Sequence, residues 1–257
     1  MRPSSFGFLT RFVLILALLL VLGEGSAMAQ AQPSTVQLNV SLGGTGNANE
    51  SSVALQLLLL FSVLSLAPSL IIMMTSFTRI VVVLSFLRTA LGIQQPSSQI
   101  LVALSLFMTG FIMYPVFTQI DKDALAPLRE KKIELPVAIE RAGVPLKQFM
   151  LRHTREKDIQ LFASMAPAGS PAMKSGEAPF QIVVPAFMVS ELRTAFQMGF
   201  TIFLPFLVID MVVSSILMAM GMMMLPPTMV TLPTKILVFV LADGWGLIIR
   251  SLVESFH

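Results

Sequence analysis

Four stretches of this chain, residues 53–74, 99–117, 198–225 and 235–256, are predominantly apolar, and each is near or above the ~20 residues that cross a bilayer as helix. A further apolar stretch, residues 80–93, trails the first. Composition points the same way, with 55% of the 257 residues apolar and 12% charged, against roughly 25% charged in ordinary soluble domains. The expected class is therefore an all-α membrane-associated protein. Two apolar hairpins flank a polar insert, a rough pseudo-symmetry without any internal sequence repeat.

The insert, residues 118–184, is the only soluble-looking part. Pro127, Pro136, Pro145, Pro167, Pro171 and Pro179 are expected to break it into short helical pieces. Its acids and bases alternate and leave little net charge. The formal charge of the whole chain is only +3, which argues against nucleic-acid binding. There is no cysteine, hence neither a disulfide nor a thiolate metal site.

Residues 1–29 read as a cleaved signal peptide: Arg2 and Arg11 supply positive charge, residues 12–22 are apolar, and Ala27-Met28-Ala29 offers small residues for cleavage. Residues 30–52, rich in Gln, Ser, Asn and Gly, read as a disordered spacer. Two rules then collide over orientation. A signal peptide puts the mature N-terminus and the polar insert outside, whereas the ten Lys and Arg of that insert pull inward. The positive-inside rule is counted over short loops, and longer domains translocate regardless of charge, so the signal peptide decides. Arg79, Arg88 and Lys235 are then expected in cytoplasmic connections.

Catalysis has no support. HExxH, GxSxG and Walker A patterns are missing, and two histidines, His153 and His257, cannot furnish a His-rich metal site. His153 reads as a solvated surface residue. The informative charges lie inside apolar sequence, namely Arg79, Arg88, Glu191, Arg193, Asp210, Asp243 and Arg250, because each costs several kcal/mol in hydrocarbon without a partner or water. Arg79 and Arg88, nine residues apart, point about 180° from each other on a straight helix and cannot clamp one anion. Glu191 and Arg193 do not face each other either. These charges form internal salt bridges or pairs across subunits, and spacing leaves both open.

The third apolar block ends Met218-Ala219-Met220-Gly221-Met222-Met223-Met224-Leu225-Pro226-Pro227. Gly221 suits a left-handed helix end, and Pro226 and Pro227 prevent resumption. Met222, Met223 and Met224 then occupy a turn. Their deformable thioethers either fill a buried turn or, brought round an axis by several subunits, form a compliant apolar seal.

Several segments carry a more specific signal: Phe149-Met150-Leu151-Arg152 followed by Thr154-Arg155-Glu156, then Pro185-Ala186-Phe187-Met188-Val189-Ser190-Glu191-Leu192 with Phe196, Gly199 and Phe200. Pro205-Phe206-Leu207-Val208-Ile209-Asp210 and residues 221–227 complete the set. From about residue 53 onward the chain resembles the FliP family, the flagellar version of a core subunit of the type III secretion export gate. The resemblance implies a homo-oligomer, five copies in the family's assembly, joined by FliQ-like and FliR-like small membrane subunits. Unfolded flagellar proteins pass through its centre. It further implies no cofactor, no catalysis, contact with membrane lipid, and a place in the bacterial inner membrane, periplasm-facing, at the flagellar basal body. The methionine turn becomes a pore gasket of Met222, Met223 and Met224 shaped by Gly221, Pro226 and Pro227. Arg79, Arg88, Glu191, Arg193 and Asp210 become subunit-contact or buried charge pairs. The hydrophobic helices would pack antiparallel around the pore, largely buried in subunit contacts, which a helix apolar on all sides permits.

The expected layout is a first hydrophobic hairpin over 53–117, a polar helical periplasmic region over 118–184, and a second hydrophobic hairpin with the Met-rich loop over 185–257, with long bent helices assembled into a helical ring. The rival reading is a secondary transporter or ion channel for a small solute, which would place intramembrane acids at a broken helix, with Pro68 and Pro205 as the breaks.

Overall fold

A computed structural model describes residues 58, 59, 61, 62, 65, 66, 68–93, 97–165, 178–222 and 226–256. The expected signal peptide and spacer, most of residues 53–67, Pro167, Pro171, Met223 and Met224 lie outside them. Among the described residues there is no strand. The chain divides into two compact units, residues 1–69 and 70–257. The described residues of the first are helical, and Leu58, Leu59, Phe61 and Leu66 are exposed.

The second unit begins with helical residues 70–73 and continues through nine α-helices among its described residues: α1 Phe77–Leu91, α2 Ser98–Ile112, α3 Tyr114–Ile120, α4 Ala126–Arg129, α5 Leu135–His153, α6 Glu156–Met165, α7 Phe180–Ala219, α8 Thr228–Leu241 and α9 Gly244–Glu254. A π-helical turn, Asp121–Leu125, joins α3 to α4. The prolines act by position. Pro127 and Pro136 sit in the first turns of α4 and α5, where a missing N–H leaves nothing unsatisfied. Pro179 caps the start of α7. Pro145, expected to break the insert, instead lies inside the 19-residue α5 and is buried.

The apolar blocks do not map one to one onto spans. Residues 99–117 straddle two helices, because α2 and the α3–α4 segment meet at a 59° bend. Residues 235–256 straddle the 64° bend between α8 and α9. Residues 198–219 of the third block belong to a longer object, the 40-residue α7, which at ~1.5 Å per residue is about 60 Å long. That is twice the ~30 Å hydrocarbon core of a bilayer. By length and composition α7 is the one described helix able to cross a membrane alone, with up to three crossings if each bent pair counts as one. Pro185 and Pro205 lie inside α7 without interrupting it, so the broken helix that a transporter site would use is not formed at Pro205.

Two cores share α7. Its N-terminal turns contribute Ile182, Val183, Ala186 and Phe187 to a cluster with Met113, Phe149, Met150 and Ile159. Further along, Ala195 and Phe206 join Ile80, Leu84, Leu87, Leu101, Phe239 and Leu252. Helix α1 is central to this second core and runs parallel to α7: Arg79 meets Glu191 at one end and Phe86 meets Phe196 further along, with ring centroids 5.3 Å apart. The expected antiparallel packing is found elsewhere, between α7 and α8, where Phe206 meets Phe239 and Asp210 meets Lys235. Parallel neighbours need a long connection, and the polar insert supplies it.

Candidate functional site

The charges within apolar sequence occupy two levels of the molecule. At the first, Arg79 Nε donates to Glu191 Oε2 at 2.8 Å and its second terminal nitrogen bonds Glu191 Oε1, a two-pronged pair with Glu191 fully buried. The remaining guanidinium nitrogen donates to the carbonyl and hydroxyl of Ser255, at 2.8 and 2.9 Å. Phe256 closes the site, its ring centroid 3.8 Å from the guanidinium carbon. Carboxylate, carbonyl, hydroxyl and ring together replace the water this cation loses on burial.

His153 packs beside Phe256, 5.2 Å away between ring centroids, and Phe149, 4.7 Å away, completes a three-ring cluster with both. It is half-buried rather than a solvated surface residue. Burial first, then the positive charges of Arg79 and Arg152, push its pKa down from 6.5 to about 4, so its imidazole is neutral at physiological pH. The turn after it is held by Ser190 of α7, whose hydroxyl donates to the His153 carbonyl at 3.3 Å and accepts from the Arg155 amide at 3.0 Å.

Arg193 reaches Asp158 of α6 at 3.3 Å. Asp158 is buried, and its other oxygen, Oδ2, has no hydrogen-bond partner among the described residues. Arg88 lies nine residues beyond Arg79 and lines a separate cavity of about 390 Å³ with Ser85, Thr89, Gly92, Ser98 and Leu101.

The second level lies 19 residues along α7 from Glu191, about 28 Å at helical rise. Here Asp210 Oδ2 accepts from Lys235 Nζ at 2.6 Å, and the same ammonium donates to the Ala90 carbonyl at 3.1 Å. Sequence reasoning put Lys235 in a connection; it is buried within α8. A lone cation inside an apolar run is a signal that could have found it. Asp158, Ser255 and Phe256 carried no comparable signal.

Beyond this level α7 ends. Ala219 is its last residue, Gly221 adopts φ 75°, the Gly221 amide donates to Met218 O at 3.0 Å and the Met222 amide to Leu217 O at 3.0 Å. These two bonds make a Schellman motif, which requires a left-handed residue at the position Gly221 holds. Pro227 precedes α8. Met218, Met220, Met222 and Met229 are all exposed around this tip. Exposed apolar side chains also occur along α7, at Ile216, Met211, Leu207 and Phe200, at Phe107 and Phe111 of α2, and at Leu237 and Leu241 of α8. A monomer in water rarely leaves so many large apolar side chains uncovered.

No group of three or more His, Cys, Asp or Glu that could hold a metal occurs among the described residues. The chemistry on offer is ion pairing inside apolar packing and a methionine-lined tip.

Most of this architecture falls within a region with known relatives. A sequence profile of the FliP family matches residues 60–252. The flagellar biosynthetic protein FliP of Bacillus subtilis is 55% identical over 206 residues, which cover 80% of this chain and 93% of its own length. The protein of that name from Caulobacter vibrioides is 52% identical over 203 residues, 79% of this chain and 76% of its own. The one from Aquifex aeolicus is 47% identical over 206 residues, 79% and 86% respectively.

Proposed function

Because the chain belongs to the FliP family, we propose that it is a core pore-forming subunit of the flagellar type III protein export gate, conducting unfolded flagellar subunits across the inner membrane. In this reading several copies, five by family resemblance, join FliQ-like and FliR-like subunits. The loop at Met222, Met223 and Met224 seals the closed channel, Gly221, Pro226 and Pro227 shape that loop, and no catalysis or cofactor is involved.

The observation that carries the reading is the apolar face of α7, exposed from Phe200 to Met218 and ending in the methionine tip. Among the described residues this face is exposed, and lipid or neighbouring subunits of an assembly would supply its cover. Thioethers suit the tip because they pack against many shapes and repack as a chain passes.

The test is to replace Met222, Met223 and Met224 together by Ala. Membranes carrying the assembled complex should become permeable to small ions while flagellar protein export continues. Unaltered ion permeability in a complex of normal composition would remove the seal.

A further inference from the structure

We propose that Asp210, Lys235 and the carbonyl of Ala90 form a register lock that sets how α8 lies against α7, and thereby where the methionine loop between them is held. Helices α7 and α8 form an antiparallel hairpin whose successive rungs are visible. One turn behind the ion pair, Phe206 packs on Phe239 with centroids 6.4 Å apart. One turn ahead of it, Ser214 and Thr231 both line a cavity of about 280 Å³ that also touches Asp210, Lys235 and Thr228.

That void matters. Apolar side chains fix the register of a helix pair by interdigitating, and between the ion pair and the loop part of that interdigitation is replaced by open space. Among the described residues the salt bridge is the last directional contact between α7 and α8 before the tip, ten residues from Met220 on one side and eight from Pro227 on the other. Lys235 adds a third anchor. Ala90 lies in the last turn of α1, where helix carbonyls lack intrahelical donors and a lysine ammonium satisfies one. The three-way contact ties α8 to two helices at once, with the ammonium buried and the carboxylate partly so, and fixing register is the best-attested use of charges placed inside apolar packing. A slip by one residue would turn α8 by about 100° and carry the loop with it.

The chain has no cysteine, so introduced thiols report without background. In membranes from cells making the full chain and its complex, Ser214→Cys with Thr231→Cys should cross-link through a short bis-maleimide in preference to Ser214→Cys with Thr228→Cys. Asp210→Asn or Lys235→Met should lower that preference about tenfold, since the first leaves the buried Lys235 ammonium without its counter-charge and the second removes both of its bonds, whereas Lys235→Arg, able to keep both bonds, should retain it. A control pair, Phe86→Cys with Phe196→Cys on the α1–α7 contact, should cross-link equally in all backgrounds. An unchanged pattern in Asp210→Asn and Lys235→Met overturns the lock. Loss of the control pair as well overturns it too, because the charges would then hold the fold at large rather than the register. This deepens the seal reading but is separable from it: cross-linking reads the hairpin whether or not the loop closes a channel, and ion flux through the same membranes reads the seal.

Discussion

At the scale of single residues the decisive fact is that Glu191 and Arg79 are buried against each other. Such a pair gains little over well-packed apolar residues, but removing one partner strands the other charge, at about 3–5 kcal/mol. Glu191→Gln should therefore lower the thermal unfolding midpoint sharply in detergent, while the double change Arg79→Met with Glu191→Leu should cost clearly less than the single one. Equal losses would mean the pair acts through something other than charge compensation. His153 makes a second prediction. Its folded pKa near 4 lies below the ordinary 6.5, so between those values the unfolded chain binds the proton first. Its contribution is fully present above about pH 6.5 and is lost as pH falls towards 4. Since carboxylates also titrate there, the measurement is a difference: the unfolding midpoint of His153→Phe should fall less steeply between pH 6.5 and 4 than that of the parent, and parallel curves would reject the assignment.

At the scale of elements, two glycines govern how the long helix is used. Gly199 lets α1 lie directly on α7: a β-carbon there would sit 2.5–2.9 Å from the Phe86 side chain, its Cβ included. Gly199→Ala is expected to cost about 1–3 kcal/mol by overpacking, read as a drop in midpoint that the additional truncation Phe86→Ala moderates. Gly221 has open space around it, so its requirement is backbone alone. Gly221→Val should loosen the tip by about 1–2 kcal/mol through the left-handed φ, seen as faster amide exchange at Met220 and Met222 with α1 exchange unaltered. Uniform exchange across both would deny the local origin.

At the scale of the whole second unit, Phe256 packs against both cores, stacked near Phe149 and over Arg79. The segment after α9 is thus a strap between the polar helices and the apolar ones. Phe256→Ala should expose α5 and α6 to limited proteolysis before α1 and α7; simultaneous cleavage would show that the cores hold together without it.

How much of this was legible in the sequence follows from what kind of information each feature is. The all-helical class, the polar insert and the helix end at Gly221 are local matters of composition, hydropathy and a residue able to take φ 75°, so runs of neighbouring residues determine them. The need of Arg79, Glu191, Arg193 and Asp210 for partners was equally plain, since desolvating a charge is costly wherever it sits. Their partners were not. Arg79 meets Glu191 across 112 positions and Ser255 across 176, and Lys235 meets Ala90 across 145. No periodicity spans such distances. The corner within residues 99–117, the continuity of α7 through Pro185 and Pro205, and the parallel run of α1 beside it were likewise decided by packing, which can outweigh the loss of a backbone hydrogen bond at a proline. The sequence by itself determined that this chain forms apolar helices carrying charges that must be matched; the tertiary structure alone decided which helices lie side by side, because burial rewards any apolar face while only one arrangement brings each buried charge to its counterpart.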